Sequence, residues 1–265
     1  MAEIHPTAIV DKGVQAGKGV RIGPFCIVGP NVVLGDNVEL RSHVIVTGRT
    51  TIGDNTVIFP FATIGEAPQD MSYRDEPTEL IIGEGCTIHE YATLHRGTVK
   101  GGGRTTVGSN CFLMVSAHVA HDCVVGDNVV LTNCATLGGH VEVGEYAILG
   151  GLSAVQQRCR VGAHSFVGGL TAVTTDLIPF GMAVGRRGEL AGLNLVGLKR
   201  RGFDRAAIHA LRGAYRVVFF GNGTREERLA EAEQRFPNVA VVKTLADFIR
   251  ASGNNPLCLP REDNA

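Results

Sequence analysis

From Ile4 onward the chain sets an aliphatic residue at every sixth position: Val10, Ile22, Val28, Leu34, Leu40, Val46, Ile52, Ile58 and Ile64. The series resumes at Ile82, Ile88 and Leu94, and again from Val107 through Leu113, Val119, Val125, Leu131, Leu137, Val143, Leu149, Val155, Val161 and Val167 to Val173; only Ala16 breaks the Ile, Val or Leu rule. Four residues after each aliphatic comes a small or β-branched side chain, as at Ala8, Val14, Val20, Cys26, Val32, Thr50 and Ala62. A helix would repeat near 3.6 residues and a lone strand at 2, so a period of about six fits neither. It fits a coil in which each hexad supplies one short strand and one corner, with three hexads per turn. One large and one small side chain then point inward from every hexad. Glycine often follows the aliphatic (Gly23, Gly29, Gly35, Gly53, Gly126, Gly144, Gly162), and is expected to meet the backbone demands of the corners. The pattern predicts a mainly β protein, a parallel β-helix of about nine stacked coils over residues 1–186, roughly 45 Å long at the usual strand spacing.

Two segments break the period. Residues 65–80 (GEAPQDMSYRDEPTEL) and residues 97–106 (GTVKGGGRTT) must leave the prism as loops, and insertions in solenoids gather where ligands bind. After residue 186 the pattern turns helical, which predicts a small C-terminal α-helical domain over 187–265. Asp204, Thr224 and Thr244 are the expected N-caps of its helices, with ends near Pro237 and Gly253.

Composition narrows the class. The chain has 265 residues, 35 of them Gly, no Trp and a formal net charge of -1. No triplet glycine period exists, so collagen is excluded, and 44% apolar content argues against disorder. Near-neutral charge gives no reason to expect nucleic acid. The opening MAEIHPTAIV has no signal-peptide pattern and no long apolar span occurs, so a cytoplasmic protein without a transmembrane segment is expected. Without a CxxC pair, the cysteines at 26, 86, 111, 123, 134 and 159 read as small buried side chains in a reducing compartment.

Four histidines crowd the central coils: His95, His118, His121 and His140. Residues 18 apart should stack, which sets His121 beneath Gly139 and Asp122 beside His140, so that VSAHVAHDC turns two imidazoles and a carboxylate toward one edge. Three kinds of chemistry suit such a cluster: structural hydrogen bonding at corners, a metal site like that of the γ-class carbonic anhydrases, or a general base. In the last, His121 would take a hydroxyl proton, Asp122 would orient the ring, and the Gly139 N–H would donate to an oxyanion.

The motifs LHRGTVKGGGRTTVG, VSAHVAHDCVVGDN, GGHVEVGEYAILGG and GLKRRGF, in that order, resemble the UDP-N-acetylglucosamine 3-O-acyltransferases among the hexapeptide-repeat acyltransferases. The resemblance runs over nearly the whole chain. It implies a left-handed β-helix and a homotrimer with active sites between neighbouring prisms. It also implies transfer of an (R)-3-hydroxyacyl group from acyl carrier protein to the glucosamine 3-hydroxyl, the first step of lipid A synthesis. The acyl group would arrive on the carrier's phosphopantetheine, with no metal and no other cofactor. By position, His121 resembles the family's base, Asp122 its partner and Gly139 its oxyanion donor. Asp70, His95, His118, His140 and Gln157 resemble residues lining the substrate clefts. Asn194, Arg200 and Arg201 resemble residues reaching the nucleotide, and Gly169 the position that gauges acyl length, here open to a long chain.

The chain departs from the family's usual residues at Ser72 (often Lys), Gln156 (often His), Val196 (often Glu) and Arg187 (usually smaller or neutral). Six basic residues between Lys199 and Arg216 against the single acid Asp204 suit an acidic carrier protein. The alternatives are the related N-acyltransferase of the same pathway and a non-catalytic or metal-binding β-helix.

Overall fold

In a computed structural model, which describes residues 2–253 and 255–260, the chain winds through three sheets of 11, 9 and 8 strands. Up to the last hairpin, consecutive strands fall in different sheets and each pairs in parallel with the strand one circuit on, as Val124 with Glu142 and Glu142 with Arg160. This is a parallel β-helix of triangular section. Most strands are two residues long, such as Val130–Leu131, with the first residue half-buried and the second fully buried. Leu113, Leu131, Leu137 and Leu149 fill the prism, with Cys111, Ala117, Val129 and Ala135 beside them. Each fully buried leucine contributes roughly 1.5–3 kcal/mol. In the first coil, whose strand Glu3–Ile4 pairs on one side only among the described residues, Ile4 is 47% exposed.

The corners correct one expectation from the sequence. The left-handed residue is not the glycine but the one two places later: Asn37, Asn128, Tyr146 and His164 all have φ of 58°. The preceding glycines are needed for space. A Cβ on Gly126 would lie 2.7 Å from the backbone N of Glu145 in the next coil, and one on Gly150 would lie 2.5 Å from that of Gly169. Neighbouring backbones approach there too closely for any side chain. A second correction concerns Cys134, which stands at such a corner (φ 60°) and is exposed; the other five cysteines named above are buried as expected, and all are free thiols.

Each corner column forms an edge of the prism. One edge carries Asp122, His140 and Arg158, another Asn110, Asn128, Tyr146 and His164, and the third Phe25, His43, Phe61, Tyr91, Cys134, Leu152 and Leu170. We call these the histidine, asparagine and apolar edges. On the apolar edge the rings of Phe25, His43, Phe61 and Tyr91 stack at 4.9–5.2 Å. Both excursions leave from the histidine edge: one joins strand Thr63–Glu66 to Glu79–Ile82, and the other joins Thr93–His95 to Arg104–Val107.

The prism continues past the expected boundary. Strand Gly181–Val184 turns back into Glu189–Leu193, an antiparallel pair, so residue 187 lies in a hairpin and the first helix starts later. Four helices follow: α1 Leu195–Arg200, α2 Arg205–Phe220, α3 Arg225–Arg235 and α4 Ala240–Ala251. Asp204 caps α2 and Thr224 caps α3 in a full capping box. Thr244 does not cap. α4 begins a turn earlier, at Ala240, and the Thr244 hydroxyl donates to Ala240 O at 3.0 Å. The apolar face of α4 extends back to Val241 and Val242, both buried, and that burial outweighs the capping preference.

At the junction of prism and helices, His164 stacks between Tyr146 and Phe180, with centroids at 5.0 and 5.6 Å, and meets Phe203 edge-on. Burial, aided by the Arg201 charge, pushes its pKa down to about 4.

Two measurements follow. Gly126→Ala should lower unfolding stability by about 1–3 kcal/mol, as overpacking does, while Asn128→Gly should stay within about 1 kcal/mol of the parent because its φ already suits glycine. Equal losses in denaturant titration would refute close approach as the reason for the glycine. Because an unfolded histidine protonates near its ordinary 6.5 and His164 resists until about pH 4, acid favours the unfolded chain. Stability should therefore fall as pH drops through that window, and His164→Phe should flatten the fall in melting curves.

Candidate active site

Asp122 is the fixed point of the histidine edge. Its side chain has 0% exposure and sits on a left-handed corner with φ 59°. Three donors converge on the carboxylate: Thr98 N–H at 2.7 Å, the Thr98 hydroxyl at 2.6 Å and His121 Nδ1 at 2.7 Å. Its own N–H donates to the Thr105 hydroxyl at 2.7 Å. A buried carboxylate is costly unless each oxygen is met by donors, and here each is. The second excursion supplies two of the three donors. Its 3-10 turn, Val99–Gly101, follows Thr98 as cap, and a Cβ on Gly101 would collide with the Asp122 carboxylate.

A carboxylate in this geometry accepts, so His121 Nδ1 donates and its lone pair lies at Nε2. That nitrogen faces Gly139 one coil on: a Cβ there would lie 2.6 Å from His121 Cε1 and 2.7 Å from Nε2. The stacking expected from the sequence is therefore present. Gly139 O accepts from Arg158 N–H at 3.0 Å, while the Gly139 N–H has no backbone acceptor among the described residues. The His121 ring thus packs against a glycine whose N–H makes no backbone hydrogen bond among the described residues.

His140 meets His121 edge-on at 5.1 Å, with its Nε2 3.7 Å from Asp122 Oδ2. Burial holds its pKa below the ordinary value, opposed by the Asp122 charge and reinforced by Arg158. His118 lies one strand before the corner, its Nδ1 2.7 Å from the Thr93 hydroxyl, and burial again lowers its pKa, with His95 and His121 adding. His95 Nδ1 donates to Ala67 O at 2.7 Å, which pins the start of the first excursion. In that excursion Asp70 accepts from Ser72 N–H at 2.7 Å. This bond is the main reason its carboxyl titrates below the usual range, and the nearby His121 and Lys100 charges add to the shift. Gln157 is exposed one coil beyond Gly139. Asp70, His95, His118, His121, Asp122, Gly139, His140 and Gln157 therefore share the histidine edge or border it.

The other residues singled out in the sequence lie elsewhere on the same chain. Gly169 is exposed on the apolar edge, above Gly151. Asn194 serves the asparagine edge: it caps α1 and donates through Nδ2 to His164 O at 3.0 Å. Arg201 donates to Tyr146 O at 2.6 Å and lies over the Tyr146 ring, while Arg200 is exposed at the end of α1. A cavity of about 850 Å³, lined by Arg212, Tyr215, Arg216 and Arg235 among others, sits on the helices and includes no histidine-edge residue.

The sequence reading missed Thr98, Thr105 and Lys100. Counting in steps of 18 finds stacked partners only inside unbroken coils, and the second excursion sets Thr98 24 residues before Asp122. Its glycine-rich composition marks a loop, not the direction in which the loop folds back.

One ligand atom each from His121, Asp122 and His140 lie within 4.8 Å of one another, so the trio has the makings of a cation site. However, Asp122 Oδ2 already accepts from Thr98 and from His121 Nδ1. The hydrogen bonds thereby commit the carboxylate to orienting an imidazole.

Models of two families match the chain: "Udp N-acetylglucosamine O-acyltransferase; Domain 2" over residues 176–257, and "Bacterial transferase hexapeptide (six repeats)" over 13–48 and 104–139. The acyl-(acyl-carrier-protein)–UDP-N-acetylglucosamine O-acyltransferase of Caulobacter vibrioides is 54% identical over 98% of this chain and 99% of its own. The protein of that name from Azorhizobium caulinodans is 60% identical over 83% and 81%. Among solved structures, the UDP-N-acetylglucosamine O-acyltransferase (LpxA) of Moraxella catarrhalis superposes with a TM-score of 0.93 at 42% identity, covering 96% of this chain and 99% of that one. LpxA of Acinetobacter baumannii gives 0.92 at 37% identity, covering 97% and 99%. With full-length identity this high and one fold throughout, the chain belongs to the family of acyl-(acyl-carrier-protein)–UDP-N-acetylglucosamine O-acyltransferases.

Proposed function

We propose that this protein moves an (R)-3-hydroxyacyl group from the phosphopantetheine thioester of acyl carrier protein to the 3-hydroxyl of UDP-N-acetylglucosamine, the first step of lipid A biosynthesis. The reaction takes place in the cytoplasm and needs no resident cofactor or metal. The observation that carries the reading is the buried His121–Asp122 pair, 2.7 Å apart, whose free nitrogen opens beside Gly139. His121 Nε2 removes the sugar hydroxyl proton as the oxygen attacks the thioester carbon. The new C–O bond forms first, the C–S bond then breaks, and the proton passes to the departing thiolate. Asp122 offsets the charge on the protonated ring, and the Gly139 N–H donates to the tetrahedral oxyanion. His118 and His140, whose pKa values burial holds below the ordinary histidine value, can hydrogen-bond substrate.

The assembly is a homotrimer of left-handed β-helices, each followed by the helices that begin at α1. The distribution of residues supports it. His121 lies on the histidine edge, Gly169 on the apolar edge, and Asn194 and Arg201 on the asparagine edge. One prism cannot gather three edges around one substrate, whereas clefts between neighbouring prisms can. Asn194, Arg200 and Arg201 then reach the nucleotide from the adjacent copy, while Asp70, His95 and Gln157 line the sugar and acyl clefts. The run of cations from Lys199 to Arg216 suits the acidic carrier. No helix among the described residues is long and apolar enough to cross a membrane.

Mass spectrometry of a reaction holding hydroxyacyl carrier protein, UDP-N-acetylglucosamine and a chelator should detect the ester. His121→Ala should lower kcat by about 10²–10⁴-fold, with Asp122→Asn and Gly139→Ala also impaired. Full activity of His121→Ala would overturn the base assignment, and loss of product on chelation would turn the His121, Asp122 and His140 cluster into a metal site. A ladder of carrier-bound acyl chains should favour long ones, and Gly169→Met should move the preference to shorter chains.

A further inference from the structure

Lys100 occupies a position that no motif marks. It stands inside the 3-10 turn Val99–Gly101, between two residues tied to the buried acid: Thr98 donates twice to Asp122, and Gly101 packs against that carboxylate. The turn is closed by Gly102 and Gly103, both with positive φ (97° and 81°). From this anchored turn the Lys100 ammonium crosses to the first excursion and donates to the Ser72 hydroxyl at 3.1 Å. Ser72 in turn holds Asp70 through its N–H at 2.7 Å. A cation and an anion, one from each loop, are thus joined through one serine on the rim of the edge that carries His121. The Asp70 carboxyl lies close enough to feel both the Lys100 and the His121 charges.

An ammonium has three donors, and Lys100 makes one hydrogen bond among the described residues while remaining exposed. We infer that Lys100 is a substrate-binding residue: its two unused donors engage acceptor oxygens on the sugar and diphosphate end of the nucleotide sugar, in the place where Ser72 alone offers no charge. Asp70 holds the sugar hydroxyls on the other side of the serine. The inference rests on the acyl transfer proposed above and assigns to it the cation that steers the acceptor. The anchoring of the turn matters here, because a lysine on a free loop would lose much of its attraction to the backbone entropy of ordering that loop. The same turn braces Asp122, so the group that positions the acceptor lies two residues along the backbone from Thr98, which hydrogen-bonds the group that orients the base.

Steady-state kinetics of the intact protein test this with each substrate varied in turn. Lys100→Ala should raise KM for UDP-N-acetylglucosamine about 10- to 100-fold, as loss of a charged hydrogen bond does. Its kcat and its KM for the acyl carrier should stay within about threefold, since no reacting atom is touched. Lys100→Arg should retain part of the affinity. The decisive variant moves the charge to the opposite loop: Lys100→Ser combined with Ser72→Lys should recover most of the lost affinity, while Lys100→Ser alone should not. Ester formation by the parent protein checks the acyl-transfer reading by itself. If the parent is active and Lys100→Ala leaves the nucleotide-sugar KM unchanged, or raises both KM values alike, the role assigned to Lys100 is wrong while that reading stands.

Discussion

Backbone hydrogen bonds between successive coils constrain everything else in this molecule. Val124 N–H reaches Val141 O at 2.9 Å, Gly126 N–H reaches Val143 O at 2.8 Å, and His140 N–H reaches His121 O at 3.0 Å. Strands of two residues cannot hold their own shape. They persist because the rung on either side presents the same pattern of donors and acceptors. This ladder demands that neighbouring coils come as close as backbone sheets allow, which is why corner glycines such as Gly126 and Gly144 leave no room for a Cβ. It also stacks side chains of equal rank into columns, so a column of asparagines, of aromatic rings or of the histidine-edge groups arises from one rule.

The site uses that rule and then departs from it. Stacking brings Gly139 over His121 without any contact made for the purpose. Holding a charge with no exposure at Asp122 needs more than stacking, because the corner of a regular coil offers too few donors. The second excursion supplies them by folding Thr98 onto the carboxylate. An ion at that depth is costly when unpaired, so the loop and the dyad stabilise each other. Loss of either would leave a buried charge or an unanchored turn.

This division explains what could be read from the chain in advance. The period of six, the inward aliphatics and the closeness of His121, Asp122, Gly139 and His140 are consequences of regular repetition, and repetition is visible in a sequence; the caps at Asp204 and Thr224 are local bonds to the backbone three residues on, which neighbouring residues suffice to show. Thr98 and Lys100 were not legible because an excursion resets the count, and Thr105 because it meets Asp122 from a position 17 residues back, one off the stacking register. The α4 start at Ala240 was obscured because Thr244 is a good cap in the abstract, and only tertiary burial of Val241 and Val242 decides against it. Corner glycines were found but given the wrong reason: φ is local, while close approach depends on a coil 18 residues away.

The triangular section has a consequence for how such a chain can change. Strand pairs across the two excursions are offset by 30 and 25 residues, as Thr63 with Thr93 and Thr93 with His118, yet the register after them is intact. Length added where the chain leaves the histidine edge alters a loop and nothing downstream. Six residues added within a coil would preserve every inward aliphatic, but would turn all later side chains by one face. Placed between the second excursion and His121, such an insertion would open His121 on a different edge from those loops. The frame thus tolerates such an insertion perfectly well as architecture and fails as an enzyme, so chain length inside the coils is held by the alignment of columns and not by folding.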